Sequence, residues 1–132
     1  MRRMQWLVPG MLGALLAVTG CATRITNLTP STLPREESGL YAFEAEWTST
    51  ERTRELRQDR IRGYVVYDGN FYAMERVSRM TNRWESMVPI PEDRRIVFYH
   101  FKWDYENAGF GRNHPNSLRS QQFQLEIADT YP

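Results

Sequence analysis

Cys21 is the only cysteine in a chain of 132 residues, and its thiol is the clearest candidate for covalent chemistry. A single thiol closes no intramolecular disulfide and has no second Cys with which to build a metal site. His100 and His114 are the only histidines. They fall in different contexts without ligand spacing, so no zinc or copper set is expected. Glu92-Asp93 and Asp104-Tyr105-Glu106 are candidate calcium carboxylates, but calcium-loop spacing is absent and solvated loop charges are the simpler reading. General acid–base work needs a positioned carboxylate or an oriented His. The sequence has no local Ser–His–Asp pattern, nucleophile elbow or Gly-rich phosphate loop. The expectation is therefore a protein that is not an enzyme and holds neither metal nor cofactor. Arg52, Arg54, Arg57, Arg60 and Arg62 form the densest basic run. Glu51, Glu55 and Asp59 interleave it, which keeps the local field small and favours a solvated hairpin or loop, with anionic glycan or phosphate as the functional alternative. Trp84 and Trp103, with Tyr72, Tyr99 and Tyr105, are candidate rings for stacking against a sugar. The competing reading is that a small β core needs those rings.

The neighbours of Cys21 give its thiol a role. Arg2 and Arg3 precede an apolar run from Leu7 to Thr19 that contains no charge. A helical span of the bilayer takes roughly 20 residues, so this run is too short to cross it and reads as a signal peptide. It ends Val18-Thr19-Gly20-Cys21, which resembles the bacterial lipobox: an aliphatic residue, two small ones, then the Cys that receives lipid. The resemblance implies removal of residues 1–20 and conversion of the thiol to a diacylglycerol thioether. Two or three acyl chains anchor durably where one binds only marginally. Ala22 stands where an Asp would imply inner-membrane retention, so the outer membrane is the expected destination. Removing Arg2 and Arg3 from 17 basic side chains leaves 15 against 16 acidic ones. That balance carries no footprint for nucleic acid.

These groups must be positioned by the elements that follow. Residues 21–39 are rich in Thr, Ser and Pro and read as a lipidated tether, able to reach about 60 Å at roughly 3.3 Å per residue. Ile25, Leu28 and Leu33 argue that part of it lies on the domain as an edge strand. From Leu40 the apolar period is two: Tyr41, Phe43, Ala45 and Trp47 alternate with more polar positions. Asp68-Gly69, between Gly63–Tyr67 and Phe71–Val77, marks a hairpin. Trp84–Ile90 is a further strand. Ile96–Tyr105 is the clearest, with Val97, Tyr99, Phe101 and Trp103 on one face. Its other face passes from Ile96 and Phe98 to His100, Lys102 and Asp104. A loop over 107–117 precedes the last strand, where Phe123, Leu125 and Ile127 alternate. Phe43, Val97, Phe101, Trp103, Leu125 and Ile127 are the expected core.

Five to seven short antiparallel strands within residues 40–132 predict an all-β protein, a small β-sandwich. Trp84, Pro89-Ile90-Pro91 and Val97-Phe98-Tyr99-His100-Phe101-Lys102 resemble a stretch of early-set immunoglobulin-like modules, among them starch- and glycogen-binding domains. Two functions follow as expectations. The first is an outer-membrane lipoprotein whose non-catalytic sandwich binds or scaffolds another envelope protein. The second is a carbohydrate-binding module on a lipid tether.

Overall fold

A computed structural model of the chain describes residues 23–49, 58–80, 82–107 and 114–129. Cys21, Arg52, Arg54 and Arg57 lie outside the described residues. The elements are β1 (Thr23–Asn27), β2 (Thr32–Pro34), β3 (Leu40–Ser49), β4 (Arg62–Tyr67), β5 (Asn70–Ala73), β6 (Glu75–Arg76), β7 (Arg83–Pro89), β8 (Ile96–Asn107), β9 (His114–Arg119) and β10 (Phe123–Ala128), with one 3-10 turn at Gln58–Arg60.

The strands form two sheets packed face to face. The first is ordered β1-β3-β7-β6, and the second β2-β10-β8-β4-β5 with β9 also on β8. All pairs are antiparallel except β2 with β10, which is parallel. Lettered in chain order, the sheets are A-B-E-D and A′-G-F-C-C′, the strand order of an immunoglobulin-like sandwich whose first strand divides between the sheets. Among the described residues, eight strands, β3–β10, lie within residues 40–132 against the expected five to seven, and β1 and β2 precede them. The additional ones are short pieces at sheet edges, where few residues are buried and the apolar period is weak.

The core lies between the sheets. Phe43, Val97, Phe101, Trp103, Leu125 and Ile127 are all fully buried, as the alternation predicts. Immunoglobulin domains of antibodies join their B and F strands by a disulfide. Here the equivalent strands, β3 and β8, meet through Phe43 and Tyr99, edge to face at 4.7 Å. Farther along the same two strands Trp47 stacks on Trp103 at 6.4 Å, and Trp84 meets Trp103 edge-on at 5.7 Å. Rings substitute for a covalent staple by burying a large area per residue.

Asp68 and Gly69 turn the β4–β5 hairpin with φ of 53° and 78°. Two consecutive positive φ values match the right-handed twist of the flanking strands. The expected return strand, Phe71–Val77, is divided at Met74. Its first part stays in the second sheet as β5, and its second part joins the first sheet as β6. Met74 is buried at the crossing, and its N–H still donates to Gly63 at 2.8 Å.

The boundary expected at Leu40 moves to Thr23. Residues 23–39 are part of the sandwich: β1 pairs with β3 over Thr23–Asn27, and β2 pairs with β10. Between them the Thr29 hydroxyl donates to the Glu44 carbonyl (3.1 Å) and accepts from the Glu44 N–H (2.9 Å). Thr29 thus takes the place of the ladder where the chain leaves β3. Asn27 donates to the buried Tyr99 hydroxyl at 2.8 Å. Beyond β2, the Arg35 N–H donates to Ala128 at 2.8 Å. The polar composition of this segment suits an edge, where one side of each strand meets water.

Candidate binding face

The rings expected to meet a sugar are in the core. Trp84 is 5% exposed and Trp103 is 0% exposed, so neither offers a flat face to solvent. Both stand on the inward phase of their strands, and Arg76 covers Trp84 from 4.8 Å. Tyr99 is equally enclosed, and burial raises its pKa despite the hydrogen bond from Asn27. The stacking platform read from Trp84 and Trp103 is thereby corrected. Burial and ligand stacking both place aromatics at alternate positions, and the pattern alone does not separate them.

The exposed rings are on the opposite side of the second sheet. Once Val65 and Tyr67 face inward, Tyr64 and Val66 face outward, and the cross-strand register extends that face. Val66 is opposite Phe71 on one side and His100 on the other, and Tyr64 is opposite Lys102. On the next strand Phe98 is opposite Gln124, and Ile96 is opposite Glu126. Phe71 is 55% exposed and Phe98 is 52% exposed. Tyr64 meets Phe71 edge-on at 5.9 Å, and the Lys102 ammonium lies 5.4 Å from the Phe71 ring. The result is an apolar strip with a polar border.

His100 stands in that strip, where burial lowers its pKa below the ordinary 6.5 and the charge of Arg119 lowers it further. Both effects favour the uncharged imidazole. His114 opens β9 opposite Asn107. The seven residues of β8 that separate Asn107 from His100 span about 23 Å at roughly 3.3 Å each, so the two histidines do not converge.

The carboxylate pairs are separated likewise. Glu92 and Asp93 precede β8, whereas Asp104 and Glu106 lie near its other end. Asp104 accepts from Ser117 at 3.1 Å, and Glu106 pairs with Arg60 at 3.1 Å. The calcium constellation considered above is not assembled, and among the described residues no three His, Cys, Asp or Glu side chains group for a metal. Of the basic run, Arg60 takes Glu106 and Arg62 bonds the Asp59 carbonyl at 3.0 Å. A depression of about 340 Å³ beside Tyr41 and Ile90 is lined by Arg35, Glu36, Glu37 and Glu92. Its Arg35 is held by Asp129 and by the Glu92 carbonyl, each at 2.8 Å.

Phe71 and Phe98 were open to sequence reasoning. The two-residue Asp68-Gly69 turn fixes the hairpin register, which sets Phe71 on the face of Val66. Phe98 follows from the outward phase of β8. No protein-family model matches the chain, and neither does any curated protein or solved structure.

Proposed function

We propose that this chain is a lipoprotein of the bacterial cell envelope, anchored to the outer membrane by lipid on Cys21. Its sandwich is a non-catalytic binding module that docks another envelope protein on the outer face of the second sheet. The observation that carries the docking reading is the pair Phe71 and Phe98, each more than half exposed on the outer face of the second sheet, with half-buried Tyr64 beside Phe71 and Val66 buried beneath its neighbours on that face. Contiguous exposed apolar area with a polar rim is a feature of protein–protein contact surfaces. Burying it on a partner stabilises a complex by about 25 cal/mol per Å² of apolar area, before the costs of association.

The anchor is tested by Cys21→Ser, which should abolish metabolic labelling with palmitate and leave the chain unprocessed or soluble. Unchanged labelling sinks the anchor. The face is tested in cells with a photoreactive phenylalanine at position 71 or 98, and at Met87 on the outer face of the first sheet as control. Positions 71 and 98 should give an adduct with the same envelope protein, and the adduct from 98 should disappear in the Phe71→Ser background. No adduct, or an equal one from position 87, overturns the assignment.

A further inference from the structure

β1 begins at Thr23, two positions beyond Cys21. Two residues reach at most about 7 Å. Resting on the anchor reading above, this leaves no spacer: lipid on Cys21 holds the Thr23 end of the sandwich at the headgroups. That end is defined in both sheets. Phe43 meets Tyr99, and four residues farther along each strand Trp47 meets Trp103, so β3 and β8 run in the same sense. Thr23 pairs with Ser49 at the far end of β3, and the start of β4 pairs with Asp104 near the far end of β8.

The turn between β6 and β7 is at the same end, because the Asn82 carbonyl accepts from the Trp47 N–H at 2.9 Å. Among its described residues Met80 is 48% exposed. Arg79 stands beside it with φ of 66°, in a turn closed by the Met80 N–H on the Val77 carbonyl at 3.1 Å. Arg76 lines the same shallow surface as Val77, Arg79 and Met80. A flexible thioether among guanidinium groups suits a headgroup layer, where the apolar part enters the interface and the cations meet phosphate. The opposite end carries Glu36, Glu37, Asp68, Glu92 and Asp93 against Arg35, Arg94 and Arg95 in its turns, an acidic excess of two charges that gives an anionic surface no attraction there.

We infer that the mature chain stands end-on against an anionic bilayer, with the β6–β7 turn and its Met80 seated in the headgroups, Arg79 against lipid phosphates, and Arg76, which also donates to Gln58, adding positive charge beside it. The strands then stand away from the membrane, and the Phe71–Phe98 face points sideways along it.

The test uses the full chain, processed in its bacterial host and reconstituted into vesicles of phosphatidylethanolamine with phosphatidylglycerol. Met80→Cys, Ser78→Cys and Asp93→Cys each add one thiol for an environment-sensitive maleimide dye. The unsubstituted chain is the control: with its sulfur in a thioether it takes no dye. Labelling of that control overturns the anchor reading and is distinct from failure of the orientation. With the control unlabelled, dye at positions 80 and 78 should shift to the blue and be quenched by brominated lipid, while dye at 93 should behave as in water. The shift at 80 should shrink in pure phosphatidylcholine and with Arg76→Glu and Arg79→Glu combined. Equal emission from 80 and 93, or quenching confined to 93, overturns the end-on seating. A shift at 80 indifferent to lipid charge and to both arginines overturns the anionic contact.

Discussion

Gly63 lies directly opposite Trp103 on neighbouring strands, and the indole occupies the space that a side chain would take. A Cβ at Gly63 would stand 2.5 Å from two indole carbons. Trp103 is fully buried between Trp47 and Trp84, so it has no room to retreat. Gly63→Ala should therefore cost about 1–3 kcal/mol by overpacking, read as a lower urea midpoint with altered tryptophan fluorescence. An unchanged midpoint would mean that the cluster tolerates displacement. Phe101→Ala acts from the other side, removing a fully buried ring. The loss should be about 3–5 kcal/mol, a large share of the 5–15 kcal/mol that holds a typical domain together. A thermal midpoint equal to wild type would contradict this core. His100 makes stability pH-dependent in a defined direction. Its folded pKa lies below the ordinary 6.5 because burial, then Arg119, disfavours the charged ring. Above pH 6.5 the contribution is fully present. As pH falls through that value the unfolded chain takes up the proton first, and stability declines until native His100 is protonated too. His100→Gln should flatten the denaturation midpoint between about pH 7 and pH 5 relative to wild type. Identical profiles would mean that His100 is freely solvated.

At the scale of elements, the edge of β8 shows how one extra residue keeps two strand segments in phase. β9 pairs with β8 up to Arg119 opposite Lys102, and β10 resumes with Phe123 opposite Tyr99. Residues 120–122 therefore face only residues 100 and 101, which makes a bulge. Leu118 shares the inward face of Trp103, and Phe123 that of Tyr99. In an unbroken ladder running on from Arg119, Phe123 would fall opposite Phe98 and point outward. Ser120 fastens the bulge: its hydroxyl accepts from the Phe101 N–H at 2.8 Å and donates to the Gln121 carbonyl at 2.7 Å. Ser120→Ala leaves the Phe101 N–H without that acceptor, at a cost of about 1–3 kcal/mol. The midpoint should fall accordingly, and faster exchange of the Phe101 amide would localise the effect. No change in either would show that the ladder does not depend on the hydroxyl. This edge also marks where the sequence stops being readable. β3, β8 and β10 were legible because each sets apolar side chains on one face at every second residue. The first four residues of β9 fall in the loop expected over 107–117: His114-Pro115-Asn116-Ser117-Leu118-Arg119 has one aliphatic residue and a proline, which an edge strand tolerates. β1 and β2 were legible only in part: Ile25 and Leu33, which pack against the core, point to an edge strand, but the polar residues around them leave its bounds unmarked. Of the candidate face, Phe98 is visible in the phase of β8, whereas the tryptophans expected to stack on a sugar are in the core.

The whole molecule depends on whether residues 22–39 are a spacer or a part of the sandwich, because the two cases give the protein different mechanics. A spacer would let the domain swing freely and would be dispensable for folding. The structure instead lays β1 along β3, pins Thr29 on both backbone groups of Glu44, bonds Asn27 to Tyr99 and adds β2 to β10. The first strand thus ties both sheets together, and a pull on Cys21 would be carried directly into the β3 ladder. Deleting residues 22–34 should therefore do far more than shorten a leash. It would strip β3 of its edge partner over Ala45–Ser49, beside Trp47, and would leave an unpaired strand open to association with other chains. The expected outcome is a protein that is unfolded or aggregated. Thr29→Val is a milder probe, which preserves the shape of the side chain but removes the hydroxyl. It deprives the Glu44 N–H of its side-chain acceptor, and a loss of about 1–3 kcal/mol is expected, measured by urea denaturation of the purified mature chain. Asn27→Ala should add to it less than independently, because both substitutions loosen the same crossing between sheets. If the deletion and both substitutions left the unfolding midpoint at the wild-type value, residues 22–39 would be a spacer after all. The sandwich would then begin at Leu40, and the anchor proposed at Cys21 would hold it at a distance.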